Sequence, residues 1–571
     1  MKNLILLLPL TFLFVACGGL KGVSPVWKEL TSQTQTPAEQ GATHFMYSDF
    51  YALNEHSITT NTLPWKLTAA SLLYDKRHLP VWKSDNPDEI KTYREQLLKQ
   101  KLTQFGFFYP KSIANAPESL KQPKQFPLGL FKGAVEGDQF GKPIKFEAAG
   151  LSCMACHSSR GYDSQGYPTD QVWLGAPNGS FDPELYTQNV YKGLKNVVSN
   201  KKQVYNYIKS IYPEMDEVEK ESYRYALGVS ETAQFLGADV IYQRIKELVQ
   251  GIDSPLPFSN GAPGLTNGVG SLKSQLGLVP EDHYNSYEAG FTSIPNIFDR
   301  EFRSSLLYDG VYYPKTKNQF SPVSLKDTHD SHIYDLAEIV THFTVPTAGN
   351  HPTYSRHGAP QAYYVLKFLS TAQRPRFPGY VDIQRAKKGA QLYEQNCASC
   401  HGDYNNSYIY QPKLVYYPNK ALSLNEIGSD IYRAKMIDKQ TEQAIAKTRI
   451  SQNANFKASD SYVATILSGL WMSAPYMHNG SVPTLWAFMN PEQRPKKFYV
   501  GGHRLNYEEV GIEYGNKSNE LWSYSGSYEP WSEASVYDTA QPGKSNKGHE
   551  RQFENLEQNQ KRDLLEYLKL L

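Results

Sequence analysis

Cysteine is scarce in this chain, with 5 in 571 residues, and tryptophan and methionine number only 8 each. So few cysteines exclude a disulfide-dense scaffold. An excess of charge of one sign is missing too, since 59 Lys and Arg nearly cancel 57 Asp and Glu. That balance gives no electrostatic footprint for nucleic acid, and none is expected as a partner. Long apolar runs are also lacking. After Lys2, the stretch from Leu4 to Leu13 is the one apolar segment of note. It falls short of the ~20 residues that span a bilayer, and has the size of a signal peptide's apolar core.

The cysteines that are present are placed informatively. Four of them form two copies of one pentapeptide, Cys153-Met154-Ala155-Cys156-His157 and Cys397-Ala398-Ser399-Cys400-His401. Two intervening residues let both sulfurs reach one porphyrin edge as thioethers, and the adjacent His supplies an axial iron ligand. A zinc knuckle, a redox dithiol or coincidence would account for one copy. Chance alone gives a single copy in roughly one chain per thousand, so two copies point to two covalently attached c-type haems. The expected cofactor-binding residues are Cys153, Cys156, His157, Cys397, Cys400 and His401, with His157 and His401 on the irons.

The fifth cysteine follows the apolar segment in Phe14-Val15-Ala16-Cys17-Gly18-Gly19. A small residue before a Cys at this place resembles the lipobox of bacterial lipoproteins, which makes Cys17 the acylated first residue of the mature protein. Residues 1–17 then form a lipoprotein signal peptide, and no cysteine is left for a disulfide. Export suits c-type haem, which is attached outside the cytoplasm. The expected location is the periplasmic side of a bacterial membrane, reached through the lipid alone. Gly18 in place of Asp resembles lipoproteins sent on to the outer membrane.

The length allows two or three domains. Residues 18–125 carry no haem motif and read as a helical and loop shell. One helix is marked there by Asn86 as cap, Pro87 in the first turn and Gly106 as stop, with Ile90, Tyr93, Leu97, Leu98 and Leu102 on one face. Residues 126–378 form the first haem domain, with an irregular loop from Ser254 to Gly270. A short helix over Ala362–Leu369 precedes the turn-rich Arg374-Pro375-Arg376-Phe377-Pro378-Gly379, which sets the boundary near 378. Residues 379–571 read as a class-I cytochrome c domain. Its first helix starts near Asp382 and carries Ala386, Gly389, Ala390 and Tyr393; its last carries Leu564, Leu565, Tyr567, Leu568 and Leu571. These two helices are expected to cross, with Gly389 permitting close approach. The fold expected is mainly α: two class-I cytochrome c-like domains with long irregular insertions and only short strands, for instance at Lys497–Val500. The 41 tyrosines suit aromatic packing around large flat cofactors.

Each haem motif is followed by a similar phrase. The first is Ile294-Pro295-Asn296-Ile297-Phe298 with Leu307-Tyr308-Asp309-Gly310; the second is Ala474-Pro475-Tyr476-Met477-His478-Asn479-Gly480-Ser481-Val482-Pro483-Thr484-Leu485. The chain reads as a diverged tandem duplication. With Arg494-Pro495-Lys496-Lys497-Phe498-Tyr499-Val500-Gly501, Asn546-Lys547-Gly548-His549-Glu550 and Gly175-Ala176-Pro177-Asn178, these phrases carry a family resemblance. From about residue 140 onward the chain resembles the di-haem cytochrome c peroxidase and methylamine-utilisation superfamily, above all its rubber-oxygenase-type branch.

That resemblance implies how the irons are used. The rubber-oxygenase branch points to His549 as sixth ligand of the second haem, whereas the peroxidases point to a Met, with Met489 nearest and Met472 and Met477 behind. His478 is read as a structural or haem-edge residue. No sixth ligand of the first haem stands out, and the family pattern implies that this iron is the reactive centre. Pro295–Phe298 would lie near its distal side, with Phe298 where many relatives carry Trp. No Trp occurs between Trp173 and Trp471, so a Trp relay from that stretch is excluded; Tyr308 or Tyr313 would have to substitute.

The expected function is a di-haem oxidoreductase in which a six-coordinate second haem exchanges electrons with a first haem that uses hydrogen peroxide or dioxygen. Its electron partner would be a small cytochrome or cupredoxin. The rival reading is a carrier with both irons six-coordinate. Which residues are catalytic, and whether calcium binds between the domains, stay open in the sequence.

Overall fold

The computed structural model describes residues 21–23, 35–48, 63–139, 142–231, 234, 239–249, 260–278, 289–344, 352–514, 517–518, 521–522 and 530–571. The expected signal peptide with Cys17 lies outside them. The structure is mixed, 44% helical and 16% strand, where the sequence reading expects mainly α.

Helix α1 (Pro37–Tyr47) is buried from Gly41 onward. Helix α2 (Pro87–Gln104) follows its sequence signals closely. Asn86 Oδ1 accepts from the Asp88 and Glu89 backbone, Pro87 opens the first turn, and Gly106 (φ 86°) lies just past the end. Ile90, Leu98 and Leu102 are buried along one face, while Tyr93 and Leu97 are only partly so. Arg94 is buried with them because its guanidinium binds Ile211 O (2.5 Å) and Glu214 (2.9 Å).

Much of the unexpected strand content is a long antiparallel hairpin, β1 (Leu130–Gln139) and β2 (Lys142–Leu151). Ile144, Phe146 and Ala148 are buried with the less buried Lys145 and Glu147 between them, the period-two pattern of a half-buried strand. The hairpin leads into the first haem motif, after which β3 (Ser158–Tyr162) and β4 (Pro168–Leu174) pair antiparallel. Asp182 then caps α3 (Pro183–Ile211), which bends at Asn200. Two-residue strands β5 (Leu265–Thr266) and β6 (Thr292–Ser293) pair beyond it.

Helices α4 (Asp330–Thr344) and α5 (Pro352–Thr371) close the first half. The short helix expected at Ala362–Leu369 is thus the end of a 20-residue one that runs through Pro360. It supports α1 closely, since a Cβ on Gly41 would meet Tyr364 O at 2.2 Å. The connector around residue 378 has no regular structure, and α6 (Ile383–Asn396) begins after the Asp382 cap. One hydrophobic cluster spans this connector, holding Ala176, Phe291 and Phe298 together with Tyr393, Trp471 and Leu564. Strand β7 (Lys497–Val500) joins a four-stranded sheet, and α7 (Gln558–Leu568) ends the fold.

Helices α6 and α7 cross where the sequence placed them. A Cβ on Gly389 would lie 2.0 Å from Asp563 O, so only glycine permits this spacing. Gly389→Ala forces the helices apart and is expected to cost about 2–3 kcal/mol, the range of overpacked cores. The check is a fall in denaturant midpoint at unchanged m-value; an unaltered midpoint would refute it. Among the described residues no helix is long and apolar enough to cross a membrane.

Candidate functional site

Each haem motif forms one helical turn with its His at or just past the end. Cys153–Cys156 is the first turn, and Asn178 staples it by accepting nothing from it but donating to Ala155 O (3.0 Å) while its own N–H donates to Cys156 O (2.8 Å). Ala398–His401 is the second, closed by Gly402 (φ 94°), whose carbonyl accepts from Tyr393 Oη (2.9 Å). All four thiols are free of disulfides. Burial pushes Cys153, Cys156 and Cys397 up to about 12. Among the described residues no group of three or more His, Cys, Asp or Glu is set to hold a metal ion.

The two histidines are oriented alike. His157 Nδ1 donates to Pro295 O (3.0 Å) and His401 Nδ1 donates to Thr465 O (2.7 Å). A carbonyl can only accept, so the proton sits on Nδ1 and each Nε2 keeps its lone pair for a metal. Burial holds both rings neutral; His157 is pushed down to about 4, with the Arg300 guanidinium adding to the effect.

The Pro295 segment therefore holds the proximal ring, and the expected placement near the distal side is corrected. The sequence named the proline but could not say which carbonyl faces the imidazole. Phe298 is wedged between Gly175 and Gly469, whose Cβ atoms would lie 2.7 and 2.9 Å from its ring.

The internal repeat also takes a different register in its first part. Pro295 corresponds to Thr465, not to Pro475, and the match then runs on without a gap. Asp299 (φ 54°) and Gly469 (φ 75°) are left-handed, and each opens a 3-10 turn. Leu307 (φ 69°) matches Met477 (φ 74°), and Gly310 (φ 63°) matches Gly480 (φ 70°). Isolated bridges Leu306–Tyr312 and Tyr476–Val482 close the two copies. Tyr308 and His478 are equivalents and face each other, ring centres 6.3 Å apart.

His549 stands opposite His401, with ring centres 6.4 Å apart and planes at 31°. With a metal–imidazole bond of about 2.0 Å on either side, one iron would have room between two rings at this separation. The donor set thus fits one iron between them. Burial, with His401 next, pushes His549 down to about 3, which keeps it neutral as a ligand must be. Arg494 fixes the turn that presents it, donating to Gly548 O (3.0 Å), Asn546 O (2.5 Å) and Glu550 (3.1 Å). Met489 is fully buried in the cluster that holds Leu564 and Tyr567.

Other buried polar groups suit a haem's carboxylates. His478 stacks on Tyr462 (4.3 Å), meets Ser429 Oγ through Nδ1 (3.2 Å), and its buried Nε2 has no partner. Arg300 donates to Asn296 O (3.0 Å), and burial lowers it to about 10.

Sequence reasoning missed Glu184, which follows Asp182-Pro183 and so looks like part of a helix cap. It is buried, with one oxygen accepting from Asn267 N (2.8 Å) and the other without a partner. Burial pushes its carboxyl up to about 8, and it lies close enough to Cys156 to raise that thiol. The folded chain then keeps a proton that the unfolded chain loses near 4.5. This contribution to stability is complete below about pH 4.5 and gone above about pH 8. Glu184→Gln removes the loss. At about 1.4 kcal/mol per pKa unit, the variant gains up to roughly 5 kcal/mol over wild type at pH 8 and nothing at pH 4. Parallel pH–stability curves for the two proteins would refute this.

Two stretches in the second half of the chain match known families. Residues 461–499 match a family described as RoxA-like, cytochrome c-like, and residues 384–452 match the family of cytochrome C oxidase, cbb3-type, subunit III. The C-terminal part of the chain is a cytochrome c domain. A domain of this type binds haem covalently and transfers electrons. Two proteins of Sinorhizobium fredii are similar, each bearing the name uncharacterized protein. One, y4iM, is 28% identical over 203 residues, which is 33% of this chain and 46% of the relative. The other, y4iJ, is 27% identical over 346 residues, 50% of this chain and 54% of the relative. The chain spans about half the length of these relatives.

Proposed function

We propose that the chain is an exported di-haem c-type cytochrome acting as an oxidoreductase. Cys153, Cys156 and His157 hold one haem, and Cys397, Cys400 and His401 hold the other. Bound haem supplies an iron that cycles between ferric and ferrous states. The observation that carries the reading is the 6.4 Å trans pair of His401 and His549. His401 and His549 would hold the second haem as a site that stores or relays electrons, and the first haem would be the one that uses hydrogen peroxide or dioxygen. Glu184, its carboxyl raised by burial and one oxygen unpartnered, would supply the proton that peroxide cleavage needs. A small cytochrome or cupredoxin exchanges electrons with the second site.

Electron paramagnetic resonance of the oxidised soluble form beginning at Gly18 tests this. One high-spin and one low-spin ferric signal are expected. Two low-spin signals, with the remaining ferric haem still low spin after the other is reduced, would leave only the electron carrier. Acylation at Cys17 places the protein on the periplasmic side of the outer membrane; palmitate should label wild type and not Cys17→Ser, and equal labelling refutes the anchor.

A further inference from the structure

The two copies of the repeat do more than hold one histidine each. They touch, and the contact lies close along the chain to both proximal rings. Asp299 is four residues beyond Pro295, whose carbonyl binds His157; Ser468 is three residues beyond Thr465, whose carbonyl binds His401. Ser468 Oγ donates to Asp299 Oδ2. We propose that this hydrogen bond is the electronic bridge between the two haem sites. The proposal rests on the di-haem reading above.

The bridge is continuous in bonds and hydrogen bonds. It runs from the His157 ring through Pro295 O along the backbone to the Asp299 carboxylate. There it crosses to the Ser468 hydroxyl and returns along the backbone to Thr465 O and the His401 ring. Electrons tunnel more readily through bonded atoms and hydrogen bonds than across van der Waals gaps. A single electron crosses; no group on the bridge changes oxidation state and no proton leaves it.

The local structure is built for this contact. Asp299 sits at φ 54°, a left-handed position that Asp and Asn tolerate better than most residues. Arg374 binds the same Oδ2 (3.2 Å) and Pro412 O (2.6 Å), which compensates the carboxylate and fixes its rotamer. Ser468 is fully buried, with the Tyr404 hydroxyl at 3.4 Å. The copies also meet at Phe298 on Gly469, Asn296 Nδ2 donating to Ser473 Oγ (3.2 Å), and Tyr308 on His478; each of these crosses a van der Waals gap or lies farther along the chain from at least one of the two carbonyls.

The test uses the full chain with both haems bound. One electron is injected by pulse radiolysis, and its passage between the haems is followed optically. Ser468→Ala is expected to slow that passage several-fold, with haem content, absorption spectra and both midpoint potentials unchanged. Ser468→Cys, a weaker donor, should give an intermediate rate. The conservative Asp299→Asn, which keeps an acceptor and suits the backbone, should restore the wild-type rate. An unchanged rate in Ser468→Ala and Ser468→Cys overturns the bridge, as does an equal loss in Tyr308→Phe. Absence of any transfer in wild type overturns the di-haem reading itself and the bridge with it.

Discussion

Replacing His549 with Ala turns the second haem from low spin to high spin while the first keeps its spectrum. The ring lies 6.4 Å from that of His401, with room for one iron between them. Its turn is tied down by three Arg494 contacts, so the imidazole is aimed before any metal arrives. Removing it takes away a strong-field ligand without disturbing Cys397, Cys400 or His401. Added imidazole should refill the position and restore the low-spin spectrum. Met489→Leu nearly conserves volume in a packed core and should leave the spectrum alone. If Met489→Leu shifts the spin state and His549→Ala does not, the ligand is the methionine and the second site resembles the peroxidases.

The Ala variant also separates the two roles proposed for the sites. An open second iron would lose the fixed coordination that makes electron exchange fast. Reduction by a small protein donor should slow strongly, whereas binding of peroxide at the first site should not change. Equal loss of both would mean that His549 supports the fold and not a particular iron.

How much of this was readable in advance depended on whether the chemistry was contiguous. The haem motifs are local, because two thiols and an imidazole must reach one porphyrin edge within five residues. Helix α2 was legible for the same reason, its cap, proline and stop all lying within its own span. His549 is far from His401 in sequence, and only resemblance picked it out. The β1–β2 hairpin escaped notice because its alternation is broken by Gly133 and Gly137 and its inward residues include small ones such as Ala148. Pro295 was noticed for its ring, yet its carbonyl is what acts. Thr465, which serves His401 in the same way, carries no such marker in the sequence. Glu184 was hidden by a local role: an acid behind Asp-Pro at a helix start reads as capping, and burial is not a local property.

Changing both cysteines of one motif to Ala should lower bound haem from two per chain to one, and the two pairs should differ in what remains. Without Cys397 and Cys400 the remaining haem is held by Cys153, Cys156 and His157, and its ferric spectrum should be high spin. Without Cys153 and Cys156 the remaining haem has His401 and His549 opposite one another, and its spectrum should be low spin. The free thiols make this substitution mild, since no disulfide is lost and each side chain is small and only partly buried. The histidines stay in place, so any loss of haem reports the missing thioethers. Pyridine haemochrome analysis counts the haems, and electron paramagnetic resonance assigns them. Two haems in either variant would refute covalent attachment at that motif. One haem in each, with identical spectra, would keep the count but remove the division of labour on which the reactive first site depends.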